Sequence, residues 1–141
     1  MVYLDTNLVV ALCAREQNSE RVEAALKSIS EPLVTSEWTR VEFTSAIGIK
    51  LRSRELTEPL ARRALADYYE AFEPGIEVVT PSREDYILAS DYLQDLKSGL
   101  RSGDALHLAV AANQKSTRLL TLDKVFINAA RGIGFSVELP W

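Results

Sequence analysis

The chain has 141 residues with a single cysteine and a single histidine; 47% of residues are hydrophobic, 26% are charged, and the formal net charge is −4. That length suits one domain, 1–141, large enough to bury a core without staples, and the lone Cys13 excludes an internal disulfide. The negative balance argues against nucleic acid held on a broad basic face, although not against an enzyme that meets phosphate through bound cations.

The N-terminus has neither a basic region nor a long apolar run, and no stretch approaches the ~20 apolar residues of a membrane span. A cytoplasmic protein without a membrane partner is expected. Cys13, within the apolar stretch 8–14, reads as a small buried hydrophobe.

Short apolar runs rich in β-branched or aromatic residues predict strands at Val2, Tyr3 and Leu4, at Leu33, Val34 and Thr35, around Ile76, Val78 and Val79, at Leu119, Leu120 and Thr121, and around Phe135 and Val137. Helical patterns lie between them. The first spans 19–29, with Val22, Ala25, Leu26 and Ile29 on one face. Ser36 is positioned to cap a second helix running to about Arg54. Thr57 before Glu58 and Pro59 starts a third, whose apolar face carries Leu60, Ala64, Leu65, Tyr68 and Phe72. Ser82 and Asp85 form a capping box for a helix through about Leu96, and Ser102 is expected to cap another over 103–113. This alternation predicts an α/β fold, a three-layer α/β/α sandwich with a mainly parallel central sheet. Ligands of such sheets sit beyond the carboxyl ends of the strands.

Four acidic residues stand out by position. Asp5 and Asp123 follow the first and fourth predicted strands, where the sheet brings their ends to one edge. An Asp after a strand is also an ordinary helix cap, and for either residue alone the two readings are balanced. Glu42 has Trp38, Ala46 and Ile49 at helical spacing, an apolar arc in which a carboxylate is costly unless paired or bound to a cation. Arg40 and Lys50 are poor partners, because neither lies three or four residues away. Asp104 opens a helix that is apolar nearly all round, which puts its carboxylate at the interior edge of the domain. His107, one turn further on, reads as a hydrogen-bonded core residue, and with no second His a zinc site is not expected. Converging carboxylates repel unless a divalent cation holds them ionised, and oxygen-only ligation points to Mg²⁺ or Mn²⁺. Such an ion activates water against a phosphodiester. Asp5, Asp104 and Asp123 are the expected metal ligands, with Glu42 acting through water.

These segments resemble a known family. Asp5-Thr6-Asn7 after Val-Tyr-Leu, Glu42 in the helix after Ser36-Glu37-Trp38, Asp104-Ala-Leu-His-Leu-Ala after Leu100-Arg-Ser-Gly, and Thr121-Leu-Asp123 look like the PIN-domain ribonucleases, and more narrowly the VapC toxins of toxin–antitoxin modules. The resemblance spans essentially the whole chain. It implies an α/β/α sandwich, Mg²⁺ or Mn²⁺ dependence, cleavage of single-stranded RNA, a homodimer, and inhibition by a cognate antitoxin protein. The family's four acids fall on Asp5, Glu42, Asp104 and Asp123, with Thr6, Asn7 and Thr121 at accessory polar positions. Gly103 stands where relatives often carry Ala, and is expected to loosen that helical turn. Lys50, Arg52 and Arg54, followed by Arg62 and Arg63, are the candidate RNA contacts, although basic residues at a helix C-terminus also simply offset its dipole.

Two rival readings remain at this level. An enzyme phosphorylated on Asp5 would carry a second Asp two residues on, where this chain has Asn7. A non-catalytic binding module would have lost one or more acids, and all four are kept. Apolar stripes on the helices at 19–29 and 57–73 would serve a partner or the core equally well.

Overall fold

In the computed structural model, which describes residues 1–141, strand β1 (Val2–Leu4) leads into helices α1 (Thr6–Ala14) and α2 (Ser19–Lys27). Strand β2 (Leu33–Ser36) is followed by α3 (Glu37–Arg52) and α4 (Glu58–Asp67), and β3 (Glu77–Val79) by α5 (Arg83–Tyr92) and α6 (Ser102–Asn113). Strand β4 (Arg118–Leu120), α7 (Lys124–Ala130) and β5 (Val137–Glu138) complete the chain. The sheet order is β3-β2-β1-β4-β5 and every pairing is parallel.

The layering follows from the two-residue period of β1. Val2 and Leu4 face one side and join Leu8 and Ala11 of α1 and Val22 and Leu26 of α2. Tyr3 faces the other side, among Leu106, Leu108 and Val110 of α6. Helices therefore cover both faces of a parallel sheet, the expected α/β/α sandwich. A further cluster, Phe43 and Ile47 of α3 with Ala61 and Ala64 of α4, packs on Val9 and Val10 of α1.

Register places the edge at which a ligand of such a sheet would sit. Tyr3 pairs with Leu119 and Leu4 with Leu120, so β1 and β4 end at the same level. The chain leaves β1 toward β2 on one side and returns to β4 on the other, making the β1/β4 edge the topological switch point where parallel sheets open a crevice.

Several boundaries differ from the sequence expectation. Strand β4 is one residue earlier than expected and ends at Leu120, leaving Thr121 in the loop; β5 starts at Val137, not Phe135. Arg101, not Ser102, is the residue at the α6 N-cap. Ser36 precedes α3 but offers no capping bond, because its hydroxyl accepts Tyr3 Oη instead. The Ser82/Asp85 capping box is present, yet α5 ends at Tyr92 and leaves Leu96 exposed. Helix α4 passes at Asp67 into a π-helical turn, Tyr68–Phe72, that stacks Tyr68 on Phe43 with ring centroids 4.5 Å apart. Leu60, expected on the buried face, is exposed, whereas Val22 and Leu26 of α2 are consumed by the core. Helices α1 and α7 carry no expectation in the sequence reading: α1 is buried nearly all round and α7 is short, so neither shows a usable period. Cys13 is buried, and burial pushes its thiol up to about 12.

Candidate active site

Two strand ends build the first half of the site. The backbone N–H of Asp5 donates to Leu120 O at 3.0 Å, tying the loop after β1 to β4. Asp5 Oδ2 accepts from Asn7 Nδ2 at 2.7 Å and from Thr121 Oγ1 at 2.6 Å. Asn7 in turn accepts the backbone N–H of Leu122 at 3.0 Å, so its amide locks the β1 loop to the β4 loop. Asp5 is thus held by one oxygen, while Oδ1 lies 3.6 Å from His107 Nε2. Burial raises the Asp5 carboxyl above its ordinary range, against the pull of His107 and Thr121.

Asp104 enters from α6, in whose first turn it sits. Burial first, then the charge of Asp5, pushes its carboxyl up to about 6. Such a shift is what closely placed carboxylates show when no cation compensates them. Asp123, a candidate site residue, is also a helix cap. Its Oδ1 accepts the backbone N–H groups of Val125 at 2.7 Å and Phe126 at 3.2 Å, which starts α7. Its Oδ2 accepts Arg101 Nη2 at 2.8 Å, and Arg101 Nε lies 3.7 Å from Asp104 Oδ2. Arg101 is the residue that sequence reasoning missed. Its signal was the spacing of three to Asp104 on one helical face.

Glu42 comes from α3 and points inward as expected, but its partner is neither local base. Arg40 pairs with Glu73, and Lys50 with Glu16 and Glu55. Glu42 Oε2 instead accepts from Thr6 Oγ1 and lies against His107 Nε2, both at 2.7 Å. Burial alone would raise the Glu42 carboxyl; the His107 hydrogen bond and charge, with Thr6, carry it below the usual value. His107 is fully buried, a hydrogen-bonded core residue as expected. Its pKa stands well above the ordinary value, since Tyr3, Glu42 and Asp5 overrule the burial that would lower it. Gly103 does more than loosen a turn. A Cβ there would fall on Glu42 Oε1 and approach Trp38 Nε1 to 3.4 Å, so the missing side chain makes room for the carboxylate.

The donor set suits a hard divalent cation. Asp5, Glu42 and His107 each offer a polar atom within 4.8 Å of the other two. Opposed oxygens around a small octahedral ion lie ~4.2 Å apart, twice its ~2.1 Å bond length, a spacing that falls inside that 4.8 Å limit. His107 Nε2 is spent between Glu42 and Thr6, which leaves oxygen ligands for the ion.

All four acids line one cleft of about 740 Å³. It continues along α3 past Ser45, Ala46 and Ile49 to Glu16 and Lys50. Of the basic residues expected to meet RNA, Lys50 lines the cleft but is paired with two glutamates. Arg52 and Arg54 are exposed at the end of α3, outside the lining, and Arg62 and Arg63 pair along α4 with Glu58 and Asp67.

Comparison with known proteins agrees with this geometry. The family model described as PIN domain matches residues 2–132. Ribonuclease VapC46 of Mycobacterium tuberculosis (strain ATCC 25618 / H37Rv) is 30% identical over 146 residues, covering 99% of this chain and 97% of the relative. Among solved structures, Mycobacterium tuberculosis VapC20, a sarcin–ricin loop cleaving toxin, superposes with a TM-score of 0.71 at 18% identity, covering 96% of each chain. A toxin–antitoxin complex from Klebsiella pneumoniae gives a TM-score of 0.65 at 20% identity over 100% of this chain and 98% of that one.

Proposed function

The chain belongs to the PIN domain family, and from that premise we propose that it is a metal-dependent endoribonuclease, the toxin of a toxin–antitoxin pair, acting as one nuclease domain over 1–141 on single-stranded RNA in the cytoplasm. The observation that carries the reading is the convergence of Asp5, Glu42, Asp104 and Asp123 on one cleft at the switch point of a parallel sheet. Mg²⁺ or Mn²⁺ held by Asp5, Asp104 and Asp123 would supply a Lewis acid for the phosphodiester and a lowered pKa for the attacking water.

The chain's own residues do the rest. Asn7 and Thr121 hold Asp5 Oδ2, which fixes the direction in which Oδ1 points. Thr6 and His107 hold Glu42 Oε2, leaving Oε1 to accept a hydrogen bond from the nucleophilic water. Glu42, held below its usual range, is ionised at neutral pH and so can only accept there. Arg101 at the cleft mouth is placed to meet the RNA phosphate, and the groove along α3 gives an unstacked strand a path to the acids. Asn7 is a donor on Asp5, not an acid/base partner, which argues against phosphorylation of Asp5.

An antitoxin is the proposed protein partner. Exposed Val41 and Ile49, which line the cleft, and exposed Leu60 and Tyr69 on α4 and the turn after it support it, and the Klebsiella neighbour is itself a toxin–antitoxin complex. Exposed Tyr86 and Ile87 on α5, with Leu96 beyond it, support a homodimer. The test of the catalytic reading is RNA cleavage by protein purified free of antitoxin. Cleavage of a single-stranded RNA pool is expected with Mg²⁺ or Mn²⁺, abolished by EDTA and by Asp5→Asn or Asp104→Asn. Equal cutting by wild type and both variants would expose a contaminant and remove the support for catalysis.

A further inference from the structure

His107 is the one polar side chain in the buried run of α6 from Ala105 to Ala111. Both of its nitrogens are used. Nδ1 lies 2.8 Å from Tyr3 Oη, and Tyr3 Oη donates to Ser36 Oγ at 2.8 Å. Nε2 lies 2.7 Å from Glu42 Oε2 and 3.1 Å from Thr6 Oγ1. An unbroken buried chain, Ser36–Tyr3–His107–Glu42, therefore ties β2, β1 and α6 to the carboxylate on α3.

An ionised carboxylate only accepts, so Nε2 carries a hydrogen directed at Glu42. The ring is also the only basic side chain in contact with Glu42, since Arg40 and Lys50 are paired elsewhere. Nε2 stands 3.6 Å from Asp5 Oδ1 as well, so one imidazole nitrogen faces two of the four acids. Gly103 leaves the space in which this pose fits. Without the Nε2 hydrogen, Glu42 would lose its one basic partner while keeping the Thr6 hydroxyl on Oε2, and the long side chain would regain rotamer freedom.

We propose that His107, backed by Tyr3 and Ser36, is a positioning residue that holds the Glu42 carboxylate in register with Asp5. The proposal rests on the nuclease reading above, and goes beyond it by giving a core histidine a role in the reaction. The nearest functional parallel is a hydrogen-bonded partner behind a metal-binding group, whose loss commonly costs ~10–100-fold in metal affinity or activity.

Two substitutions at the same position separate positioning from packing. The amide nitrogen of Gln reaches about as far as the imidazole Nε2, whereas the amide of Asn reaches only as far as Nδ1. His107→Gln therefore restores a donor to Glu42; His107→Asn keeps the contact to Tyr3 and loses Glu42. Both place an amide in the same buried site, so both are expected to lower Tm by a similar amount. His107→Asn is expected to lower kcat on single-stranded RNA at least tenfold with KM changed less than twofold, and to weaken Mn²⁺ binding in calorimetry. His107→Gln is expected within about threefold of wild type in both.

Equal kcat and equal Mn²⁺ affinity for the two folded variants would overturn the proposal. If wild type cleaves nothing yet binds Mn²⁺, the nuclease reading fails first; the Asn/Gln contrast in Mn²⁺ affinity still decides this one. Should both variants fail to fold, Tyr3→Phe removes only the backing hydroxyl. A kcat loss of about threefold at unchanged KM supports the chain of bonds, and an unchanged kcat refutes it.

Discussion

Asp123 poses the sharpest test, because it is both a helix cap and a member of the acidic cluster. Its Oδ1 satisfies two backbone N–H groups at the start of α7, and its Oδ2 meets Arg101. Asp123→Ala removes all three bonds. Losing the cap costs about 1 kcal/mol, within a range of ~0.5–2. The Arg101 pair adds little, since the guanidinium side chain is 63% exposed and solvent screens it to ~0–1 kcal/mol. The sum, about 1–2 kcal/mol, lowers Tm by roughly 3–7 °C in a chain of 141 residues, whose unfolding entropy is ~2.1 cal/mol/K per residue. Asp123→Asn keeps an oxygen for both N–H groups, and Asn caps as well as Asp, so its Tm should fall by less than about 2 °C. Thermal unfolding and initial rates of Mn²⁺-dependent RNA cleavage are measured on both proteins. If the charge serves the reaction, both variants lose roughly tenfold or more in rate while only Ala loses stability. Wild-type cleavage by Asp123→Asn would show that Asp123 is a cap alone and leave three acids for the site.

Two further outcomes follow from the same cluster. The Asp104 carboxyl stands at about 6 in the folded chain against an ordinary 3.8, so the folded state binds its proton more tightly than the unfolded state does. Its contribution to stability is therefore present at low pH and lost as pH rises from about 3.8 through about 6; in metal-free protein Asp104→Asn should flatten this part of the Tm-versus-pH curve, and an unchanged slope would refute the assignment. Arg101→Ala removes the one cation that bridges Asp104 and Asp123, so Mn²⁺ measured by calorimetry should bind up to about fivefold more tightly, the equivalent of the ~1 kcal/mol ceiling for an exposed pair, while KM for RNA rises. Unchanged Mn²⁺ affinity would mean that the guanidinium does not compete for the site.

Asp5, Glu42, Asp104 and Asp123 could be singled out from the chain because their signals are local. A carboxylate at a strand end, inside an apolar helical arc, or opening a buried helix is anomalous within a window of a few residues, and so is the strand–helix alternation that gives a parallel sheet. The expectation of an oxygen donor set rested on nothing more than the residue types. Partners were a different matter. The His107–Glu42 bond joins residues 65 apart, and the Asn7–Thr121 bond residues 114 apart. Which side chains meet across such distances depends on strand register and on the angle at which helices cross, and neither leaves a periodic mark on the sequence. Helix α1, uniformly apolar, had no face to read, and Gly103 looked like a weak helical residue until Glu42 was found in the space where its side chain would be. The four candidate acids and the sheet edge at which to look for them were legible in the chain alone; that Arg101 stands among them and that a core histidine lies against one of them emerged only from the folded molecule, because those facts belong to packing between elements and not to any single element.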